Sequence, residues 1–473
     1  MSAKTVDLVI RGGTLVTPEG SFAASIAVDG GSIAAIGRAE DMPAARDSLD
    51  ATGKHVLPGA IDCHVHTRDP GATDAEDWQT ASAAAACGGV TTIFDMPSTR
   101  PAVDRVDNFR SKMDLARAKS HVDFGLYGLL GGHNIDHIES LSEAGVIGFK
   151  CFMSSSLSGA LPAPDDGTML QGFEIIAGLG RRCTVHAENL GVCTSREAQL
   201  KAAGRTDPRA HPESRPPVAA AEAVGRALVF AEWAGMRLHI AHESSADALP
   251  LIAAARARGL DVTLETCPQY LLLTADDLDE QGGVLRCNPP IRERGHDAAL
   301  WQALQDGLID MISTDHAPHL PEKKLQPSIW DCPCGLLGLE TSLMLMLNEV
   351  SAGRTTLEQT VAWMTTNSAK AWDLYPRKGA LQVGSDADIV VVDMDAETVI
   401  DQSKLQSKQK QTGFHGRRIR GVPVATLVRG KVVMKDGELV GEPGWGLHVV
   451  QDVPPAAPRN LGHTSAAIAG IGA

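Results

Sequence analysis

Between Leu57 and about Gly379 the chain alternates short apolar runs with alanine-rich stretches of helical period, and no other feature limits the fold so strongly. Ala75 to Gly88 precedes Val90-Thr-Thr-Ile-Phe, and Ala219 to Ala234 precedes Leu238-His-Ile. Strand and helix in turn over about 320 residues predict a parallel α/β domain, because parallel neighbours need a crossover long enough to hold a helix. The closed barrel and the doubly wound open sheet share that pattern. A doubly wound nucleotide fold calls for a Gly-x-Gly-x-x-Gly turn after its first strand, and none follows Ile61.

Chemistry-bearing residues stand at the ends of the apolar runs. Val56 and Leu57 lead into Pro58-Gly-Ala-Ile-Asp-Cys-His64-Val-His66-Thr-Arg68-Asp-Pro70-Gly71. Residues two apart on an extended strand project to the same side, so His64 and His66 face together and make half of a metal site. A lone His-x-His is weak, since neutral imidazole is also a common satisfied core group. Four more runs end in ligand-type residues: Val146-Ile-Gly-Phe-Lys150, Cys183-Thr-Val-His186, Leu238-His-Ile-Ala-His242 and Met311-Ile-Ser-Thr-Asp315. Strand-end groups meet at one mouth in a (β/α)8 TIM barrel, which decides between the two architectures.

The two ends of the chain read differently. Asp7 to Ile36 shows short alternating strands parted by Gly-Gly and Asp-Gly turns, and the pattern returns in Ala387-Asp-Ile-Val-Val-Val-Asp and Pro423-Val-Ala-Thr-Leu-Val. The prediction is an α/β protein: a barrel over 55–379, a small β-sandwich formed from 1–54 and 380–450, and a loose Pro/Ala/Gly-rich tail over 451–473.

The ordered set His64-x-His66, Lys150, His186, His242 and Asp315 resembles the amidohydrolase superfamily, and within it the cyclic amidases: dihydroorotase, allantoinase and hydantoinase. The resemblance covers about residues 5 to 445. It implies two divalent metal ions, usually Zn2+, bridged by Lys150 as a carbamate formed with carbon dioxide. It also implies that His64, His66 and Asp315 hold the more buried ion and His186 and His242 the other, and that water activated there opens a cyclic amide with Asp315 as proton shuttle. The chemistry is coherent. Zinc accepts imidazole and carboxylate oxygen, and a protonated lysine cannot ligate, whereas its carbamate is an anion with two oxygens. The plainer uses are a snorkelling Lys150 and an Asp315 that caps a helix. His239, three residues from His242, is expected to face away as a core histidine, and His133, His137, His211, His296 and His415 are assigned to surface or loops.

The motifs divide over the substrate. Gly148-Phe-Lys150-Cys-Phe-Met and Glu265-Thr-Cys-Pro-Gln-Tyr look like allantoinases and hydantoinases; His64-Val-His66-Thr-Arg68-Asp-Pro-Gly, Asn288-Pro-Pro-Ile-Arg292, Thr314-Asp-His-Ala-Pro-His319 and Gly338-Leu-Glu-Thr look like dihydroorotase. In dihydroorotase the residues matching Arg68, Asn288 and His319 lie on the substrate, and a planar guanidinium suits a carboxylate. Ser98 stands where asparagine is usual, in Pro97-Ser98-Thr-Arg-Pro101. A carboxylate-bearing ring, dihydroorotate first, is the expected substrate; allantoinase or hydantoinase (dihydropyrimidinase) chemistry is the alternative. A salt bridge to Asp69 or Asp74 is the plainer use of Arg68. A non-catalytic assembly relative is the remote reading, and the six intact ligand positions argue against it.

With 43 Lys and Arg against 58 Asp and Glu, the net charge of −15 disfavours a nucleic-acid partner. No apolar run approaches the ~20 residues that span a bilayer, and Arg11 with two glycines interrupts the first one, so no membrane partner and a cytoplasmic location are expected. The nine scattered cysteines suit reduced thiols, and Cys332-Pro-Cys334 reads as a loop. The partners implied are a small cyclic amide or ureide and further copies of the chain, since relatives are often dimers or tetramers.

Overall fold

The computed structural model of the chain describes residues 5–154 and 162–451; almost all of the expected tail lies outside them. Five strands come first: β1 (Val6–Thr17), β2 (Gly20–Asp29), β3 (Ser32–Gly37), β4 (Ala45–Asp50) and β5 (His55–Pro58). Eight follow in the middle of the chain: β6 (Ala60–Val65), β7 (Val90–Asp95), β8 (Asp123–Leu130), β9 (Gly148–Phe152), β10 (Arg182–His186), β11 (Arg237–Ile240), β12 (Val262–Thr266) and β13 (Met311–Ile312). The last four are β14 (Ile389–Val399), β15 (Arg418–Val428), β16 (Lys431–Lys435) and β17 (Glu438–Leu439).

The terminal strands form one sheet in the order β17-β16-β15-β14-β5-β1-β2-β3, with β4 beside β1. The halves meet where β5 pairs antiparallel with β14, Pro58 opposite Ile389. Its apolar face collects Leu8, Ile10, Ile26, Val28, Val56, Ile389, Val391 and Leu427, the alternate residues of their strands. Gly30 and Gly31 turn β2 into β3 with φ of 58° and 84°, the left-handed pair that a tight hairpin requires. Since His55–Pro58 belongs to this sheet, the barrel strands start at Ala60.

Strands β6 to β13 run parallel, each beside its sequence neighbour. Every residue of β7, β8, β9 and β10 is buried, as expected of a parallel sheet covered on both sides. The helices outside are seated through small side chains, such as Ala81, Ala84 and Ala85 of Trp78–Cys87 and Ala220, Ala223, Ala227 and Ala231 of Pro217–Ala234. The ring is closed past the short β13. Val65 bridges to His316, with His66 N donating to the His316 carbonyl at 2.8 Å. The Asp62 carboxylate accepts from Thr314 Oγ1 at 2.6 Å and Thr314 N at 3.2 Å.

Barrel and terminal sheet are joined by buried charge. Lys378, 1% exposed, lies 2.5 Å from Asp123 at the start of β8, 2.6 Å from Asp388 and 3.0 Å from Asp386, and Arg429 also reaches Asp123. Three converging aspartates resemble a cation site, but the ammonium already compensates them. Lys378→Met leaves those carboxylates buried with too little positive charge and is expected to cost about 3–5 kcal/mol, read as an earlier urea midpoint; an unchanged midpoint contradicts this role.

Candidate metal centre

His64 ends β6 with Val65, and His66 follows directly; Lys150 is in β9, His186 closes β10, His242 stands two residues beyond β11 and Asp315 three beyond β13. All six are buried, Lys150 completely. The structure brings them to one mouth, where His64, His66, His186, His242 and Asp315 line a single cavity with Phe152 and Asn288. His242 and Asp315 have φ of 38° and 50°, and Arg68 has 61°. Left-handed backbone is costly for such residues and survives only where surrounding contacts impose it. Here Glu265 Oε1 accepts from His242 N at 3.1 Å, and Thr314, held by Asp62, precedes Asp315.

Hydrogen bonding decides which imidazole nitrogens face inward. A carboxylate only accepts. His64 Nδ1 lies 2.5 Å from Glu265 Oε1, so the proton is on Nδ1 and the bare Nε2 points at Asp315 Oδ1, 3.3 Å away. His66 Nε2 is also 3.3 Å from that oxygen, while its Nδ1 meets Ser98 Oγ at 3.2 Å. His186 Nε2 faces Glu188 Oε2 at 2.8 Å, which leaves Nδ1 bare, 2.9 Å from His242 Nε2. Each of these contacts can share a proton, carried by His242 Nε2 or by Asp315, and a divalent cation can take the place of that proton.

The electrostatics agree. Burial takes His64 down to about 4 and His66 and His242 well below the ordinary imidazole range, so the rings stand as neutral donors. Burial also brings Lys150 down to about 8, against the opposing carboxylates of Glu265 and Asp315, and raises Asp315 to about 8. Neither Lys150 Nζ nor Asp315 Oδ1 has a hydrogen-bond partner among the described residues. His64, His66 and Asp315 offer ligand atoms within 4.8 Å of one another. A buried amine, a bare carboxylate oxygen and inward-facing imidazoles fit divalent cations.

On the substrate side, Asn288 Oδ1 is buried and unpartnered at the same cavity. Arg68 donates from Nε to Pro318 O at 3.2 Å, and its Nη2 lies 3.1 Å from His319 Nε2. That nitrogen is also 2.8 Å from the Cys334 carbonyl. Arginine can only donate, so an Nε2–H given to Cys334 leaves Nη2 without an acceptor there. Among the described residues no carboxylate pairs with Arg68: Asp69 is held by Lys119 at 2.6 Å, and the salt-bridge use of Arg68 is not found. Burial first, then Arg68 and Lys324, bring His319 down to about 2, so it stands as a neutral ring. Ser98 touches the candidate ligand His66 and also lines a neighbouring cavity with Arg68, Arg100, His319 and Lys323.

Several residues escaped the sequence reading. Glu265 was seen only as part of a motif, yet it orients His64, holds the backbone at His242 and lies 3.2 Å from His239 Nε2. His239 is in the core against Trp372, with ring centroids 4.9 Å apart. Glu188 stands two residues after His186, the spacing that flagged His64 and His66. His211 is a correction: it is buried, not on the surface or a loop exterior, because its Nε2 meets the Cys287 carbonyl at 2.9 Å. Cys332 and Cys334 are free thiols, Cys332 bonded through Sγ to Lys324 O.

Residues 55–433 match the amidohydrolase family. The chain belongs to the amidohydrolase family. An L-hydantoinase of Paenarthrobacter aurescens is 40% identical to this amidohydrolase, covering 94% of the chain and 98% of that protein. An allantoinase of Deinococcus radiodurans is 38% identical over 93% of the chain and 98% of its own length. Among solved structures, the L-hydantoinase (dihydropyrimidinase) from Arthrobacter aurescens superposes with a TM-score of 0.92 at 39% identity, over 94% of the chain and all of that one. The D-hydantoinase (dihydropyrimidinase) from a Thermus species gives 0.89 at 32%, over 95% of the chain and all of that one. Such amidohydrolases are typically metal-dependent, and this chain has the candidate ligand groups.

Glu265→Gln keeps the shape of the side chain but weakens its hold on His64. Metal affinity of this variant is expected to fall 10–100-fold in chelator competition; wild-type affinity would remove Glu265 from the support of the site.

Proposed function

We propose that this amidohydrolase opens a cyclic ureide at its C–N amide bond, as its hydantoinase and allantoinase relatives are named for doing. It would use two divalent cations, zinc first, held by His64, His66, Lys150, His186, His242 and Asp315. The observation that carries this reading is the inward convergence of the His64 and His66 imidazole nitrogens on Asp315 beside an unpartnered, buried Lys150. When bound, the cations supply a water of lowered pKa and polarise the scissile carbonyl. The bias of Lys150 towards its neutral amine supports a carbamate there, since only the neutral amine adds carbon dioxide. Asp315 then has two tasks, as ligand and as the base that takes a proton and returns it to the leaving nitrogen. Burial raises its proton affinity and bound cations oppose that, which leaves it able to do both.

For the ring itself, the names of the relatives favour hydantoin-type and allantoin substrates, and dihydroorotate, the first expectation from sequence, takes second place. One observation keeps the second reading: Arg68 offers a guanidinium that makes no direct salt bridge among the described residues, in a cavity it shares with Ser98 and His319. We therefore infer an acidic or ureido substituent lying towards Arg68. The barrel, at its strand ends and the segments that follow them, carries the chemistry and the terminal sheet supports it, which is the division of labour we assign to the two parts. We also infer a homo-oligomeric, cytoplasmic enzyme; among the described residues no helix is long and apolar enough to cross a membrane.

Two variants test this assignment. Against a panel of hydantoins with and without a carboxylate, allantoin, dihydroorotate and dihydrouracil, Arg68→Ala should lower kcat/KM for acidic or ureido rings by an amount corresponding to about 2–4 kcal/mol. Dihydrouracil should be nearly unaffected, and a uniform loss or none refutes the contact. Lys150→Ala should lose most bound zinc and activity, with partial rescue of both by a short carboxylic acid. A fully active, metal-replete Lys150→Ala refutes the bridge.

A further inference from the structure

The buried charge behind His186 does more than orient one ring. Glu188, wholly buried, offers a single oxygen, Oε2, both to His186 Nε2 at 2.8 Å and to Arg215 Nη1. Arg215 follows the short helix Ala210–Ser214, and its side chain is 11% exposed. Its carbonyl accepts from Arg292 Nη1, and Arg292 Nε donates to Ser244 Oγ at 3.0 Å, two residues past His242. The other end of the same substrate-facing segment is also caught: His211 Nε2 donates to Cys287 O at 2.9 Å, and Arg286 Nε donates to His211 Nδ1 at 3.3 Å. Residues 210–215 therefore grip Arg286–Arg292 at both ends, with Asn288 between the grips.

We propose that Arg215 and Glu188 form a positioning clamp that sets, in one connected network, the metal ligand His186 and the loop presenting Asn288. Neither residue touches a reacting atom. Arg215 fixes the Glu188 carboxylate by its side chain and the Asn288 segment by its carbonyl, so a shift of one is felt by the other. Residues in one network couple strongly, whereas separate sites act independently. The proposal rests on the site being a metal centre of the kind argued above, and its metal readout needs no substrate.

The test compares zinc-loaded wild type with Arg215→Met, Arg215→Lys and Glu188→Gln. Zinc affinity is read by chelator competition, hydrogen exchange of 286–292 by mass spectrometry, and KM and kcat on whichever ring the wild type opens fastest. Arg182→Met is the control, because Arg182 is even more deeply buried, at the other end of β10, bonded to Ala371 O, Leu238 O and Asp261. Arg215→Met is expected to lose 10–100-fold in zinc affinity, to exchange faster over 286–292 and to raise KM, with Arg215→Lys in between; Arg182→Met should lower Tm alone. Wild-type zinc affinity in Arg215→Met overturns the clamp, and so does an equal loss in Arg182→Met. Should Arg215→Met not fold, the isosteric Glu188→Gln decides by the same affinity criterion. If no cyclic ureide is opened while zinc affinity falls as stated, the assigned reaction fails and the clamp stands.

Discussion

The contact between His64 Nδ1 and Glu265 Oε1, 2.5 Å long and wholly buried, governs what the mouth of the barrel can hold. Because the carboxylate only accepts, the proton is fixed on the outer nitrogen and the inner one is left bare. Glu188 does the same for His186. Two rings are thereby held with acceptor nitrogens facing Asp315 and His242, an arrangement that suits a cation. The proposed metal centre would thus be specified by the carboxylates behind the candidate ligands as much as by those ligands.

Those carboxylates reach their positions through the closure of the barrel. Asp62 and Thr314 tie the first strand to the segment after the last, and His66 N bonds to His316 O across the seam. The seam carries His64, His66 and Asp315, so the two ends of a long stretch of chain supply one set of candidate ligands. Left-handed backbone at His242 and Asp315 stands just past the strand ends, where both side chains line the cavity. The buried Lys378 cluster holds the far end of the barrel against the terminal sheet, away from the chemistry.

Much of this was legible in the residues, and the limits have physical causes. Alternating runs revealed the barrel, because covered parallel strands are apolar throughout and their crossovers are helical. The six strand-end positions stood out since each is a polar group ending an apolar run. The start of the barrel was read slightly early, because Val56 and Leu57 serve the terminal sheet and no local pattern says which sheet an apolar strand joins. His211 was misplaced for a similar reason: its burial comes from Cys287 and Arg286, some 75 residues away. Glu265, Glu188 and Arg215 act through partners distant in sequence, and their roles could not be seen from spacing. The substrate was the weakest point, since Arg68 and His319 suggested a carboxylate grip while the rest of the chain is most similar to hydantoinases and allantoinases.

The central claim is that these residues hold two cations and that activity depends on both. Zinc titrated into demetallated protein, with bound metal and ring opening followed together, tests it most directly. The account predicts binding that saturates at two ions per chain, with full activity reached only as the second site fills. Full activity at one ion per chain or fewer, unaffected by chelators, would contradict it.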